Sequence, residues 1–201
     1  MTAPIPCGID PAGRARARRD ALRPALAFLV AVLASACATV PPPAPREGEF
    51  SVVGRVAVRY GAESATGRVT WRHSALDDEL LIASPLGQGI AEITRRDGTY
   101  TLVTANGQRF DAADPERLTE QALGWALPLG GLPDWLQGRP QPGIAADARY
   151  DGKQLAELRQ QGWTIEYLGF EEAGRLPRRL RLTRGDLDIR LIIEEWPIAP
   201  K

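Results

Sequence analysis

Cysteine is almost missing from this chain. Only Cys7 and Cys37 occur in 201 residues, so there is no CxxC pair and no Cys/His cluster of the kind that holds zinc. Histidine occurs once, as His73. No serine or carboxylate motif surrounds it, and no catalytic constellation can be assembled from the chain. A glycine-rich phosphate loop is absent as well. Charge of one sign is not in excess, because 25 Lys and Arg balance 25 Asp and Glu, and the basic field that nucleic acid demands is missing. The apolar run Ala25–Leu33 is about half of the roughly 20 residues a transmembrane helix needs. These absences exclude a disulfide scaffold and argue against an enzyme, a metal or a cofactor. They leave no role for nucleic acid.

What is present begins with a leader. Arg14, Arg16, Arg18, Arg19 and Arg23 precede the apolar run, and Ala34, Ser35 and Ala36 follow it just before Cys37. That is the order of a secretory signal, expected to span residues 1–36. The sequence Leu33-Ala34-Ser35-Ala36-Cys37 resembles a bacterial lipobox, with alanine where leucine is usual three places before the cysteine. The resemblance implies a lipidated Cys37 at the start of the mature chain, and Ala38 after it leans toward the outer membrane. Cleavage at an incidental Ala-Ser-Ala site is the plain alternative. Loss of the leader removes five arginines and two aspartates, so the net charge moves from 0 to 0 − 3 = −3. The proline-rich stretch Thr39–Gly48 reads as a stiff tether, which gives residues 37–49 as lipidated N-terminus plus tether and 50–201 as one domain.

From Phe50 the hydrophobic period becomes two, the signature of half-buried antiparallel strands. Phe50, Val52, Val56, Val58 and Tyr60 share a face, and Gly67, Val69 and Trp71 alternate with Arg68, Thr70 and Arg72. The runs Glu79–Ser84 and Gly89–Thr94 flank Ser84-Pro85-Leu86-Gly87, where proline and glycine mark a tight reversal. Its tip is an apolar residue, Leu86. Such a side chain either folds under its own hairpin or is offered to something apolar outside. Six short strands ending near the Ala105-Asn106-Gly107 turn form a meander. Residues 111–138 break the pattern: Asp114-Pro115 opens a helix, and Trp125, Leu127, Leu129, Leu132, Trp135 and Leu136 must cover an apolar surface. Leu155–Gln161 fits strand or helix and is read as a strand. Alternation then returns in Trp163–Tyr167, Arg179–Leu182 and Leu187–Glu194. The fold expected is mainly β, a single long antiparallel sheet that curls, with helices as a lid over an apolar space. His73 is expected at a strand end on the surface. Asp77-Asp78 and Glu171-Glu172 are expected to be solvated loop charges, and Glu194-Glu195 a solvated strand end.

Several segments, taken in order, resemble the LolB family of outer-membrane lipoprotein receptors. They are Gly54–Val58, Val69-Thr70-Trp71, Ser84–Gly87, Leu127-Pro128-Leu129, Leu132–Gly138, Gln161–Tyr167, Leu176-Pro177 with Leu180, and Glu195-Trp196. The resemblance spans essentially the whole mature chain. It implies an incomplete, open β-barrel around a hydrophobic cavity in a periplasm-facing protein anchored to the outer membrane. Family members accept acylated lipoproteins from the periplasmic carrier LolA and release them into the inner leaflet of that membrane. The implied membrane-contacting loop is Pro85, Leu86 and Gly87. A monomer is expected. From the inward strand faces, the candidate cavity lining is Val56, Val58, Trp71, Leu102, Trp135, Trp163, Ile165, Tyr167 and Leu191. Plain core packing is the more ordinary role for each of them, and the lining is a set of candidates. Two other readings stay open: a lipid-binding lipoprotein with the same cavity but no delivery role, and a structural anchor that uses the domain only as a surface.

Overall fold

Alternating apolar residues give each segment one face to bury, and the chain buries them by curling a single sheet around its own concave side. A computed structural model describes residues 48–172 and 174–198. The expected leader, Cys37 and all of the tether but its last two residues lie outside the described residues. The sheet contains β1 (Phe50–Tyr60), β2 (Glu63–His73), β3 (Asp78–Ala83), β4 (Gly89–Arg96), β5 (Thr99–Thr104), β6 (Arg109–Ala112), β7 (Ala146–Asp151), β8 (Gln154–Gln160), β9 (Trp163–Phe170), β10 (Pro177–Arg184) and β11 (Leu187–Ile198). Two helices, α1 (Pro115–Leu123) and α2 (Leu132–Trp135), separate β6 from β7.

All eleven strands pair antiparallel in the order β6-β5-β4-β3-β2-β1-β11-β10-β9-β8-β7. The first six strands step outward to one edge, the last five step back from the other, and β11 closes against β1. The edges β6 and β7 do not pair with each other, so the barrel is open. This connectivity explains the lid. The chain must travel from one edge to the other between Ala112 and Ala146, and its apolar residues draw that crossing onto the concave face. Asp114 caps α1, its carboxylate accepting from the Glu116 and Arg117 amides with Pro115 beginning the helix, and Gly124 at φ +82° ends it.

The lid is fastened by buried polar bonds as well as by packing. Thr119 is fully buried; its hydroxyl donates to the Pro115 carbonyl and accepts the Leu127 amide at 2.8 Å, which turns the chain back after α1. On α2, the Trp135 indole donates to Gln160 Oε1 at 2.8 Å, and the Tyr167 hydroxyl donates to the Trp135 carbonyl at 2.9 Å. Both bonds are buried. Gly131 lies against the Trp135 ring so closely that a Cβ there would overlap it.

Strand register sorts the turns by end. The β1–β2 turn, the Ser84–Gln88 loop, the β5–β6 turn and the β10–β11 turn gather at one end, while Phe50, the β2–β3 turn and the β4–β5 turn gather at the other. At the second end the structure corrects two expectations. Asp78 is buried, not a solvated loop charge, and His73, at the strand end as expected, is half-buried rather than on the surface. Asp78 pairs with His73 across β2 and β3, so both side chains turn to the concave face. The Asp78 carboxylate bonds to His73 Nδ1 at 2.6 Å, accepts the Trp71 indole at 3.0 Å and accepts Arg95 Nε. Arg95 also donates to the Ser74 and Ala75 carbonyls, and Phe50 packs against the His73 ring. Burial alone would raise the Asp78 carboxyl, but its bonds to His73 and Arg95 outweigh that and hold it below its ordinary 3.8.

Two boundaries also differ from expectation. Asp111 and Ala112 complete β6 instead of opening the helical insertion, and β7 forms over Ala146–Asp151, where the sequence pattern marks no element. Asp77 and Glu172 are exposed as expected, while Glu194 is half-buried and bonds to Arg55 and Arg68.

Candidate functional site

The concave face does not fill completely. An apolar cavity of about 260 Å³ lies between the sheet and the lid. The sheet contributes Val52, Val56 and Val58 of β1, Val69 and Trp71 of β2, Leu80 and Ile82 of β3, and Leu182, Ile189 and Leu191 from β10 and β11. The lid contributes Leu123, Trp125, Leu127, Leu129, Leu132 and Leu136. The Trp71 indole nitrogen is turned to Asp78, so the large ring presents carbon to the cavity. Nothing in this lining offers a charged group, and a chain of methylenes is the ligand such a wall favours.

Small residues keep the space open where β2 passes under it. Val56 faces Gly67 and Val58 faces Ala65 across the β1–β2 ladder, and Ala65, Thr66 and Gly67 all border the cavity. A Cβ on Gly67 would sit 2.5 Å from the Ala83 carbonyl oxygen. Only glycine lets the end of β3 come that close, and the same glycine leaves a void above it.

Of the nine residues expected to line a cavity, the structure places Val56, Val58, Trp71 and Leu191 on its wall. Leu102, Trp135, Trp163, Ile165 and Tyr167 are buried in the packed core away from it. Trp135 and Trp163 approach each other with ring centroids 6.4 Å apart, and Arg184 stacks over Trp163 at 4.5 Å while its guanidinium bonds to Glu116 at 2.7 Å. Trp135 belongs to α2, where it meets Trp163 and Tyr167 of β9, and α1 packs on β5, the strand of Leu102. Strand-face reasoning missed ten residues of the sheet wall and all six lid residues that line the cavity, Leu123, Trp125, Leu127, Leu129, Leu132 and Leu136. The signal of the lid residues was the run of leucines and tryptophans in residues 123–136, which is too apolar for a surface excursion.

The Ser84–Gln88 loop presents Leu86 almost completely to solvent, at 92% exposure. Its conformation is set by backbone. The Gly87 amide donates to the Ser84 carbonyl at 2.9 Å, the Ser84 amide to the Gln88 carbonyl at 2.7 Å, and Gly87 adopts φ +86°. Pro85 occupies the second position of this turn, where its fixed φ is favoured. Leu86 at the third position therefore points away from the hairpin and does not fold beneath it. Ile90, just after the loop, is 40% exposed and also lines the cavity. Apolar surface is thus shared between the loop hairpin and the cavity wall. Among the described residues no group of His, Cys, Asp and Glu is placed to hold a metal ion, and no helix is long and apolar enough to cross a membrane.

Comparison with known proteins places this geometry in context. The family model described as "Outer membrane lipoprotein LolB" matches residues 48–196. The chain is 39% identical over 171 residues to the outer-membrane lipoprotein LolB of Thiobacillus denitrificans, covering 82% of this chain and 91% of the relative. It is 35% identical over 191 residues to that of Azoarcus sp., covering 88% and 99%. Among solved structures it is similar to a LolA superfamily protein from Nitrosomonas europaea, at 11% identity and a TM-score of 0.47, over 78% of this chain and 88% of that one.

Proposed function

This chain belongs to the LolB family of outer-membrane lipoproteins, and from that premise we propose that it accepts acylated lipoproteins from a periplasmic carrier and inserts them into the inner leaflet of the outer membrane. The observation that carries the reading is the pairing of an uncharged, partly empty cavity with an exposed leucine on an adjoining hairpin. A cavity alone serves any lipid binder. A solvent-facing leucine serves a protein that must touch a membrane.

In this proposal the cavity takes acyl chains. Each methylene moved out of water is worth about 0.8 kcal/mol, so a cargo with several chains does not cross the periplasm unshielded. Carrier and acceptor hold the chains comparably well, and transfer runs downhill through differences in affinity, with no covalent step. The LolB family is a family of lipoprotein localisation factors, not of known enzymes. Cys37 is the proposed site of lipid attachment. LolA is the proposed carrier, by the family resemblance.

The test is a two-stage transfer assay. A lipoprotein-loaded carrier is mixed with this domain, the cargo is followed onto the domain, and liposomes are then added. Passage through both stages is expected. Acceptance without release leaves a passive lipid binder, and lack of acceptance overturns the reading.

A further inference from the structure

Beside the apolar cavity lies a second, smaller one of about 160 Å³. The two share Val58, Ala65, Leu123 and Trp125 on their borders, so the two spaces adjoin. The linings differ in kind. The second adds Tyr60, Glu63, Ser64 and Gly124, and Glu63 is its only ionisable acid.

The register explains how a carboxylate reaches this position. In the β1–β2 ladder Val56 faces Gly67, Val58 faces Ala65 and Tyr60 faces Glu63. With a side-chain period of two, Glu63 lies on the same face as the cavity-bordering Gly67 and Ala65. The concave surface of this hairpin thus passes from valine through alanine to an acid and a phenol at its tip. Glu63 forms no ion pair with any cation among the described residues. Arg184, near the same end of the sheet, is held by Glu116 and the Trp163 ring.

We infer that the second cavity is a head-group subsite for an amphiphile whose acyl chain fills the first cavity and whose head carries a protonated amine. A carboxylate with two aromatic rings, Tyr60 and Trp125, is the set of groups that attracts an ammonium, by charge and through the ring faces. The same acid repels phosphate and carboxylate heads. The subsite therefore selects among amphiphiles of equal chain length and resists occupation by anionic lipid. This inference rests on the proposal that the larger cavity takes acyl chains.

Three probes of one chain length separate the contributions: dodecylammonium, dodecanol and dodecanoate, each displacing a neutral fluorescent reporter from the domain below micelle-forming concentrations. Dodecylammonium is expected to displace the reporter at about three-fold lower concentration than dodecanoate, the size of effect a partly exposed charge pair produces. In Glu63→Gln that ratio is expected to fall toward one, with dodecanol unchanged. A ratio of one in the unmodified protein, or one that survives Glu63→Gln, overturns the inference while dodecanol displacement leaves the acyl-chain reading standing. Failure of dodecanol to displace the reporter overturns both.

Discussion

Replacing Leu86 by glutamate separates delivery from folding. Leu86 is 92% exposed, so the folded domain loses almost no buried area. The loop is closed by bonds from the Gly87, Ser84 and Gln88 amides, none of which uses the Leu86 side chain. Stability is therefore expected to change by no more than about 0.5 kcal/mol, as for other surface substitutions. Contact with a membrane is different. Full burial of a leucine side chain is worth about 1.5–3 kcal/mol, and every 1.4 kcal/mol is a factor of about ten. Losing that contact predicts a fall of about ten- to one-hundred-fold in the rate of cargo release into liposomes. A glutamate adds the cost of dehydrating a carboxylate. Urea denaturation, cargo acceptance from the carrier and release into liposomes are measured on the same preparation. Acceptance and stability should hold while release falls. Release at the unmodified rate refutes the membrane-contact role of the loop, and a matching loss of stability or acceptance refutes the separation.

Other perturbations test the cavity, the lid and the buried charges. Ala65→Phe projects a ring into the junction of the two cavities, and reporter affinity is expected to fall at least about ten-fold with the fold intact; calorimetry and reporter titration check it. Gly131→Ala forces the Trp135 ring off the lid contact and should cost about 1–3 kcal/mol in urea unfolding. Asp78→Asn removes the carboxylate charge that faces Arg95 and should cost about 3 kcal/mol at neutral pH. Because the folded structure lowers the Asp78 carboxyl, its stabilising effect is present above 3.8 and lost as pH falls below that through the folded value. The difference between Asp78→Asn and the unmodified protein should therefore shrink at low pH, seen in urea midpoints at pH 7 and pH 3.

Much of this architecture is legible in the sequence because a curled sheet with one dry face writes a period of two. β1, β2, β9 and β11 follow that alternation, and the Asp114-Pro115 pair marks the helix start where it is found. β7 was illegible for a physical reason: at the sheet edge, Ala146–Asp151 is mostly exposed, so no buried face imposes a pattern. His73 and Asp78 misled because polar residues beside a turn look solvated until the ladder sets them opposite each other. Alternation also identifies which residues point inward without saying what they meet. Val56 and Leu191 face space, whereas Trp163 and Tyr167 meet Trp135 of α2, and only the path of the lid decides between them. The exposure of Leu86 was open for the same reason. It was decided by the backbone bonds of a four-residue turn.

The opposed ends of the sheet set a length requirement on whatever holds the domain to a surface. Phe50 begins β1 level with His73 and Asp78, and Leu86 lies eight residues beyond Asp78 toward the other end, a distance of about 26 Å if fully extended. The proposed attachment point, Cys37, is thirteen steps before Phe50 (50 − 37 = 13), and thirteen residues can span at most about 40 Å at the rise of a proline-rich chain. That upper limit exceeds the path to be doubled back along by roughly four or five residues' worth of slack. Under the proposal, that slack would let the leucine reach the surface that holds the anchor. A leash shortened by more than that margin would keep the loop facing away from the membrane, whatever its side chain.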